Sequence, residues 1–312
     1  CKDCGAFTLT PDRIRMLAEK VKTSPDGTSI WWREGLESLF GDKACCDKCG
    51  SHNVEKDSNI LDVWFDSGVS HISVLNEKFG LSWPCDMYLE GSDQHRGWFQ
   101  SSLLTAVAIK GRAPYSEVLT HGFTLDGKGR KMSKSIGNTV APGDVCNQFG
   151  ADILRLWVAS TDYRNDVKIS NDILKTLSET YRRIRNTARF LLGNLHDFTP
   201  KNALPYDSLL PMDKWILDRL HRIIARVREA FGEYEFHVPV SLIHSFCVNE
   251  LSAFYLDISK DRLYVEAKDS LTRRSAQTAM HEILSCVTRM IAPLLSFTAE
   301  EIWQEMRKTD ST

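Results

Sequence analysis

The spacing of apolar residues changes once along this chain, and the change limits the folds open to it. Residues 57–170 alternate short apolar runs with helical segments, a pattern typical of an α/β sheet protein. From residue 171 onward the strand signals stop, and apolar residues recur at helical spacing. The second half is therefore predicted to be an all-α helical bundle. Its predicted helices cover residues 173–191, 216–231, 242–258 and 276–291, with a fifth opened by a capping box at Thr298 and Glu301.

Residues 1–56 are turn-rich and are bounded by two Cys-x-x-Cys-Gly units. Four thiolates are the number that a tetrahedral structural Zn²⁺ requires, and each glycine permits the tight turn that aims two sulfurs at one metal. The sequence leaves two alternatives open: Cys45 could replace Cys46 as a ligand, and the four thiols could bind no metal. We predict a structural zinc knuckle whose ligands are Cys1, Cys4, Cys46 and Cys49.

Composition excludes several classes of protein. At 42% hydrophobic and 26% charged residues the chain is an ordinary globular protein. Charged residues interrupt every apolar run before the roughly 18 residues that span a bilayer, so we expect no membrane segment. Nine cysteines are too few for a disulfide scaffold and no signal peptide is seen, which predicts a cytoplasmic protein. Because the chain starts at Cys1 rather than Met, we expect a fragment of a longer protein.

The charge balance restricts how this chain could bind nucleic acid. With 39 Lys and Arg against 41 Asp and Glu, the net charge of -2 gives no global positive field. Any RNA contact must therefore depend on local groups. Two arginine rows on predicted bundle helices are candidates, and a solvated helix face is the alternative for both. The rows are Arg182, Arg183, Arg185 and Arg189, and Arg219, Arg222, Arg226 and Arg228.

The segment 126–138 concentrates basic residues among glycines and hydroxyl residues. A predicted strand at 86–89 and a predicted helix at 98–109 precede it, and a second predicted strand at 118–125 leads into it. Flexible backbone lets ammonium groups close over a polyphosphate and stabilise negative charge at phosphorus. The spacing is not that of a Walker A loop. The composition of the segment therefore favours a polyphosphate loop and a solvated basic loop equally.

Within this loop, Lys131–Ser135 reads Lys-Met-Ser-Lys-Ser (KMSKS), the signature of class I aminoacyl-tRNA synthetases. Leu61–Gly68 and Tyr88–Phe99 resemble the isoleucyl-tRNA synthetase family closely, and the resemblance covers essentially the whole chain. It implies the second half of a Rossmann-like α/β catalytic fold with a zinc-ribbon-like insertion, followed by an all-α helical bundle. The implied divisions are a zinc-knuckle segment at 1–56, the C-terminal half of the catalytic domain with its stem-contact region at 57–170, and a helical anticodon-binding domain at 171–312.

The resemblance also implies a reaction and the residues that perform it. ATP with Mg²⁺ would activate isoleucine as isoleucyl-AMP, and the acyl group would pass to tRNA(Ile), in an enzyme expected to be a monomer. Lys131 and Lys134 would act on the ATP phosphates, with Lys134 the direct ATP contact. Four residues at the predicted strand end would line the aminoacyl-adenylate site, because an open α/β sheet binds ligands at the carboxyl ends of its strands. They are Glu90, Gly91, Asp93 and Gln94.

The sequence departs from the family in one respect. Class I synthetases carry a second ATP signature, His-x-Gly-His, and none of the nine histidines here is followed by another histidine three residues later. We therefore expect the chain to be inactive alone. Two other functions remain open at this point: another class I synthetase of valyl or leucyl type, and a zinc-bearing tRNA-binding module without catalysis.

Overall fold

The computed structural model describes residues 1–310 of the 312 in the chain. They form two compact units, one of Cys1–Ser70 and one that begins at His71. Residues 57–70 therefore belong to the same unit as the cysteine-rich segment. The three-part domain division expected from the sequence stays a prediction.

The first unit consists of helices and turns. Its core contains Ile30, Leu39 and Phe40, against which Leu17 of the first helix packs. Pro11 is the first residue of that helix, where its missing N–H removes no hydrogen bond. Residues 1–70, all of them described, contain no β-strand, so the ribbon-like character expected of this segment is not confirmed. The helices are α1 (Pro11–Thr23), α2 (Ile30–Arg33), α3 (Leu36–Phe40) and α4 (Val63–Gly68), with 3₁₀ turns at Gly27–Ser29 and Gly41–Lys43.

The second unit contains a parallel β-α-β motif. After the short helix α5 (Ser70–Ser73), strand β1 (Cys85–Gly91) pairs in parallel with β2 (Tyr115–His121), and α6 (Trp98–Lys110) connects them. Tyr88 on β1 is buried, and its ring stacks on Trp98 at a centroid distance of 4.2 Å, which holds the first turn of α6 against the strand. The predicted strand at 86–89 and helix at 98–109 are confirmed.

A second parallel pair is formed by β3 (Thr124–Asp126) and β4 (Val167–Ile169). The prediction of one strand over 118–125 is therefore wrong, because the chain leaves the first sheet at Gly122. Here the backbone of Asn165 approaches so closely that a side-chain carbon on residue 122 would lie 2.4 Å from its carbonyl carbon. Only glycine fits this crossing, and its N–H donates to the Tyr163 carbonyl at 2.9 Å.

Helices form the rest of the unit, as the spacing of apolar residues predicts. The helix predicted over 242–258 includes a ten-residue π-helical stretch, Phe246–Tyr255, which periodicity did not reveal. The α-helices are α7 (Pro142–Phe149), α8 (Ala151–Ser160), α9 (Asn171–Asn194), α10 (Pro211–Gly232), α11 (His237–Ser245), α12 (Leu256–Ile258), α13 (Lys260–Tyr264), α14 (Leu271–Ile291) and α15 (Ser296–Asp310). Short 3₁₀ helices lie at Glu77–Phe79, Ser92–Arg96, Pro200–Asn202 and Tyr206–Ser208.

The bundle helices share a large hydrophobic core, and its members come from α8 as well as from α9 onward. Leu156 of α8 is buried with Ile184, Ile216 and Met280 of later helices. The packed bundle therefore begins before residue 171.

The start of α15 corrects another expectation. The predicted capping box at Thr298 and Glu301 is wrong, because both residues lie inside the helix. The buried carboxylate of Asp152, on α8, caps this end instead. It accepts the backbone N–H of Phe297 at 3.3 Å and that of Thr298 at 2.8 Å.

Among residues 1–310, every helix is too short or too polar to span a lipid bilayer.

Candidate active site

The four predicted adenylate residues lie together at the carboxyl end of β1. Glu90 and Gly91 are its last two residues, and Asp93 and Gln94 lie in the 3₁₀ turn that follows. Gly91 is buried, and a side-chain carbon there would lie 2.6 Å from Asp93 Oδ1. Parallel pairing places His121, the last residue of β2, directly opposite Gly91. This edge is therefore an open, acidic shelf where a sheet of this type binds ligands.

Some polar atoms of this shelf already have hydrogen-bond partners within the protein, and others are available to a ligand. Glu90 Oε2 accepts the backbone N–H of Gly91 at 2.9 Å, and the second carboxylate oxygen faces no described hydrogen-bond donor. Gln94 Oε1 accepts the N–H of Trp98 at 3.0 Å, so it caps α6. The amide nitrogen of Gln94 donates one N–H to Asp93 Oδ2 at 3.4 Å and has a second N–H for a ligand.

The two predicted catalytic lysines lie on the loop that follows β3. Lys131 pairs with Leu125 in an isolated antiparallel bridge, and its Nζ lies 5.5 Å from the centre of the Phe123 ring. Lys134 is exposed, and its ammonium forms no hydrogen bond or ion pair with any described residue. Phe123 follows His121 by two residues, so one short stretch of chain connects the shelf to Lys131.

Two residues outside the signature organise this loop, Asp126 and Asn138, and the sequence pattern did not predict their role. The Asp126 carboxylate is buried, and the amide of Asn138 donates to it at 3.0 Å. Hydrogen bonds from Asn138 and from the backbone N–H of Arg130 hold the pKa of Asp126 well below its usual range. In the sequence, the role of Asp126 is indicated only by the dipeptide Asp126-Gly127, which is typical of turns.

The four predicted zinc ligands also lie together, in the first unit. Their sulfur atoms are all within 4.8 Å of one another. Cys1 Sγ is 3.6 Å from Cys49 Sγ, and Cys4 Sγ is 3.6 Å from Cys46 Sγ. Sulfurs bonded tetrahedrally to Zn²⁺ would be about 3.8 Å apart, so the cluster fits this ion.

The two knuckles have the same local geometry. Gly5 donates its N–H to the Cys1 carbonyl at 3.0 Å, and Gly50 donates to the Cys46 carbonyl at 2.8 Å. Both glycines have positive φ, 67° and 74°, which explains why glycine follows each Cys-x-x-Cys pair. Cys45 lies outside the cluster, with its thiol directed at the Asp42 carbonyl 3.8 Å away. The geometry therefore favours Cys46 over Cys45.

Two further interactions hold the cluster in place. The backbone N–H of Cys49 lowers the pKa of the Cys46 thiol to about 7, which favours the thiolate that metals bind. Arg13 is buried on α1 and donates to the Cys45 carbonyl and the Asp47 carboxylate, both at 2.8 Å.

The arginine rows are largely neutralised, which the charge pattern did not reveal. Arg219 donates two hydrogen bonds to the Glu250 carboxylate, at 2.7 and 3.0 Å. Arg185 donates from Nη2 to both carboxylate oxygens of Glu301. Arg182, Arg222 and Arg226 pair with acids on their own helices. Three members form no ion pair with a described side chain: Arg183, Arg189 and Arg228.

Comparison with known proteins identifies the family. A family model described as tRNA synthetases class I (I, L, M and V) matches residues 10–170, more than half of the 312 in the chain. The chain belongs to this family. A second model, the anticodon-binding domain of tRNA ligase, matches residues 213–312.

Curated relatives agree with this assignment. The chain is 55% identical over 307 residues to an isoleucine–tRNA ligase of Caldicellulosiruptor bescii, covering 98% of this chain and 33% of that protein. It is 56% identical, with the same coverage, to an isoleucine–tRNA ligase of Syntrophotalea carbinolica. The chain thus spans about a third of the length of these relatives.

Solved structures support the fold. A leucyl-tRNA synthetase of Agrobacterium radiobacter, in a ternary complex with tRNA, matches with a TM-score of 0.64 at 20% identity, over 84% of this chain and 33% of that one. A methionyl-tRNA synthetase of Mycobacterium tuberculosis, in complex with methionyl-adenylate, matches with a TM-score of 0.65 at 20% identity, over 77% of this chain and 49% of that one. At this identity the likeness shows the class I synthetase fold alone.

Proposed function

We propose that this chain provides the KMSKS half of the active site, the metal knuckle and the tRNA-contacting bundle of an isoleucine–tRNA ligase. In the first reaction a carboxylate oxygen of isoleucine attacks the α-phosphorus of ATP, which forms isoleucyl-AMP and releases pyrophosphate. In the second, a terminal ribose hydroxyl of tRNA(Ile) attacks the acyl carbon, and AMP leaves. One observation carries the proposal: the unpaired Lys134 lies on the loop after β3, in a chain 55% identical to an isoleucine–tRNA ligase.

The two lysines supply positive charge to the polyphosphate. As isoleucine attacks, negative charge grows on the oxygens around the α-phosphorus and on the departing pyrophosphate. A fixed ammonium that meets this charge lowers the barrier, because it binds the transition state more strongly than the ground state. Lys134 has no partner to give up, and Lys131 is held beside Phe123. Mg²⁺ would arrive with ATP as part of the substrate.

The shelf would hold the rest of the adenylate. Glu90 offers a carboxylate to the ammonium group of isoleucine or to a ribose hydroxyl, and Asp93 can accept ribose hydroxyls. Gly91 leaves room for the ligand where any side chain would meet Asp93. Gln94 can donate its second amide N–H to a carbonyl, while its oxygen caps α6.

The bundle would contact tRNA(Ile) through its unpaired cations. Arg183, Arg189 and Arg228 are free to meet phosphates, whereas the paired arginines would first have to leave an acid. The cytoplasmic location expected from the sequence stays a prediction. A monomer stays a prediction.

Two hybrid ligases test the function. In the first, this chain replaces the matching third of a full-length isoleucine ligase; in the second, it replaces that of a valine ligase. We expect amino-acid-dependent ATP–pyrophosphate exchange and tRNA charging in the isoleucine hybrid. Exchange in the valine hybrid should be about 10²-fold weaker, because a misfit of 1 Å at the site costs about that much.

The outcomes separate the alternatives. Higher activity in the valine hybrid would assign the chain to a valyl-type enzyme. An isoleucine hybrid that binds tRNA but shows no exchange would indicate a binding module without catalysis. The isolated chain is the negative control, and exchange by it would contradict the expected need for His-x-Gly-His.

We also propose that Cys1, Cys4, Cys46 and Cys49 hold one structural Zn²⁺. Four thiolates would leave no open coordination position, so the ion would stabilise the first unit and take no part in the reaction. The cluster of four sulfurs within 4.8 Å supports this.

Metal analysis of the purified chain tests the zinc site. We expect about one Zn²⁺ per chain, and its loss in Cys46→Ser, because removing a thiolate opens the site. Cys45→Ser is the matched control, since Cys45 is adjacent in sequence but bonds to Asp42 instead, and it should retain the metal. Loss of zinc in Cys45→Ser with retention in Cys46→Ser would reverse the assignment.

A further inference from the structure

We propose that Asp126 and Asn138 are positioning residues for the KMSKS lysines: together they clamp the loop so that Lys131 and Lys134 meet ATP already ordered. This inference rests on the proposed function. Neither residue belongs to the Lys-Met-Ser-Lys-Ser signature, and neither would touch the substrate.

The first half of the clamp is the Asp126 carboxylate. Its Oδ1 accepts the backbone N–H of Lys128 at 3.0 Å and that of Arg130 at 2.8 Å, which folds 126–130 into a tight turn. Its Oδ2 accepts Arg130 Nε at 2.9 Å and Asn138 Nδ2 at 3.0 Å. One buried carboxylate therefore joins the start of the loop to its end.

The second half is the Asn138 amide, which contacts the signature itself. Asn138 Oδ1 accepts the N–H of Ser133 at 2.9 Å, and Asn138 Nδ2 lies 3.2 Å from the carbonyl of Lys131. Gly137 then donates its N–H to the Ser133 carbonyl at 3.2 Å, which closes a turn with Lys134 inside it. Hydrogen bonds to the Asn138 side chain therefore hold the backbone segment that carries both lysines.

The lysines need this support because their own side chains provide none. Lys134 has no hydrogen-bonding partner among the described residues, and the contact of Lys131 is with an aromatic ring. A loop of glycine, serine and lysine would otherwise sample many conformations, and each would have to be excluded when the transition state forms. The clamp excludes them beforehand, and because its hydrogen bonds lower the pKa of Asp126, the carboxylate stays charged further into the acid range than an ordinary aspartate.

An exchange of the two side chains tests the clamp in the isoleucine hybrid ligase. In Asp126→Asn, the new NH₂ group faces the NH₂ of Asn138, so two donors oppose each other. In Asn138→Asp, the new carboxylate faces the Asp126 carboxylate, so two acceptors oppose each other. The double variant Asp126→Asn with Asn138→Asp restores a donor facing an acceptor between these two positions, and the carboxylate introduced at position 138 can still accept from Ser133. The bonds to Arg130 Nε and to the Lys131 carbonyl are not restored.

We expect each single variant to lower kcat of ATP–pyrophosphate exchange by about 10- to 100-fold, because the lysines are displaced. KM for isoleucine should not change, since the shelf is intact. The double variant should recover part of this loss, about threefold or more, because only the bond between positions 126 and 138 returns. A merely destabilised protein would show no such rescue. Asp144→Asn is the matched control: Asp144 is an exposed acid in the first turn of α7, with no described side-chain partner, and its variant should retain full activity.

Two results would overturn the clamp: single variants with unchanged kcat, or a double variant no better than the worse single one. Amide hydrogen exchange on the isolated chain separates this from failure of the proposed function. Both single variants should expose the N–H of Ser133 to faster exchange, and the double variant should restore its protection. If the unmodified hybrid is inactive while this pattern holds, the proposed function fails and the clamp stands as a structural feature. If protection is unchanged in the single variants, the clamp itself is wrong.

Discussion

Replacing Lys134 by alanine in the isoleucine hybrid ligase should lower the rate of ATP–pyrophosphate exchange by about 10²- to 10³-fold, the usual effect of losing one preorganised charge contact to a transition state. The side chain is exposed and has no described partner, so its removal should disturb little of the fold. The loss should therefore appear in kcat, with KM for isoleucine unchanged. Steady-state exchange kinetics at varied ATP and isoleucine would measure both.

Lys128→Ala is the matched control for this result. Lys128 is another exposed lysine of the same loop, and its side chain forms no described contact. If the effect depends on the position of Lys134, the control should change the rate by no more than about threefold, since surface charges are screened at physiological salt. An equal fall in Lys128→Ala would show that the loop acts through its total charge and would contradict the assignment. Lys134→Arg should retain part of the rate.

Local patterns in the sequence predicted those features that depend on neighbouring residues. The edge of the candidate site could be predicted because a short apolar run marks β1 and ends at Glu90-Gly91. The segment that begins at Trp98 was recognisable as the helix after this strand. The bundle helices were found for the same reason, since each buries one face. The paired cysteines were recognisable because a metal site needs fixed spacing and glycine-permitted turns.

Contacts between distant residues could not be predicted in this way. The break between β2 and β3 comes from the approach of Asn165 to Gly122, and Asp152 caps a helix that begins 144 positions later, at Ser296. The local sequence around Gly122 or Thr298 does not indicate that Asn165 or Asp152 is the contacting residue.

Within the candidate site the same limit separates the lysines from their clamp. KMSKS is a contiguous motif, so Lys131 and Lys134 are visible in the sequence. The role of Asn138 depends on its reach back to Asp126 and Ser133, which only the folded loop reveals. The ion pairing of the arginine rows was hidden for a related reason, because Glu250 and Glu301 approach from other helices.

The largest effect on stability should come from Asp213, at the start of α10. Its carboxylate is fully buried and joins elements far apart in the chain: it accepts from Tyr255 at 2.6 Å, from Arg262 at 2.9 and 3.0 Å, and from Ser275. Burial, with the nearby Asp213 charge, raises the pKa of Tyr255 well above its usual range, so Tyr255 stays a donor. Asp213→Ala would leave the largely buried Arg262 guanidinium without its counter-ion.

We therefore expect Asp213→Ala to lower the free energy of unfolding of the purified chain by about 3–5 kcal/mol, the cost of breaking a buried ion pair from one side. Urea titration followed by circular dichroism at a helix wavelength would measure it, since the bundle provides most of the helix. Asp218→Ala is the control: Asp218 lies on the same helix in an exposed pair with Arg222 and should change the value by less than about 1 kcal/mol. The double variant Asp213→Leu with Arg262→Met should lower the free energy of unfolding by less than the sum of the two single changes. Both charges of the pair are then removed, so no buried charge is left without a counter-ion. Equal effects of Asp213→Ala and Asp218→Ala would mean that the buried network contributes no more than a surface ion pair.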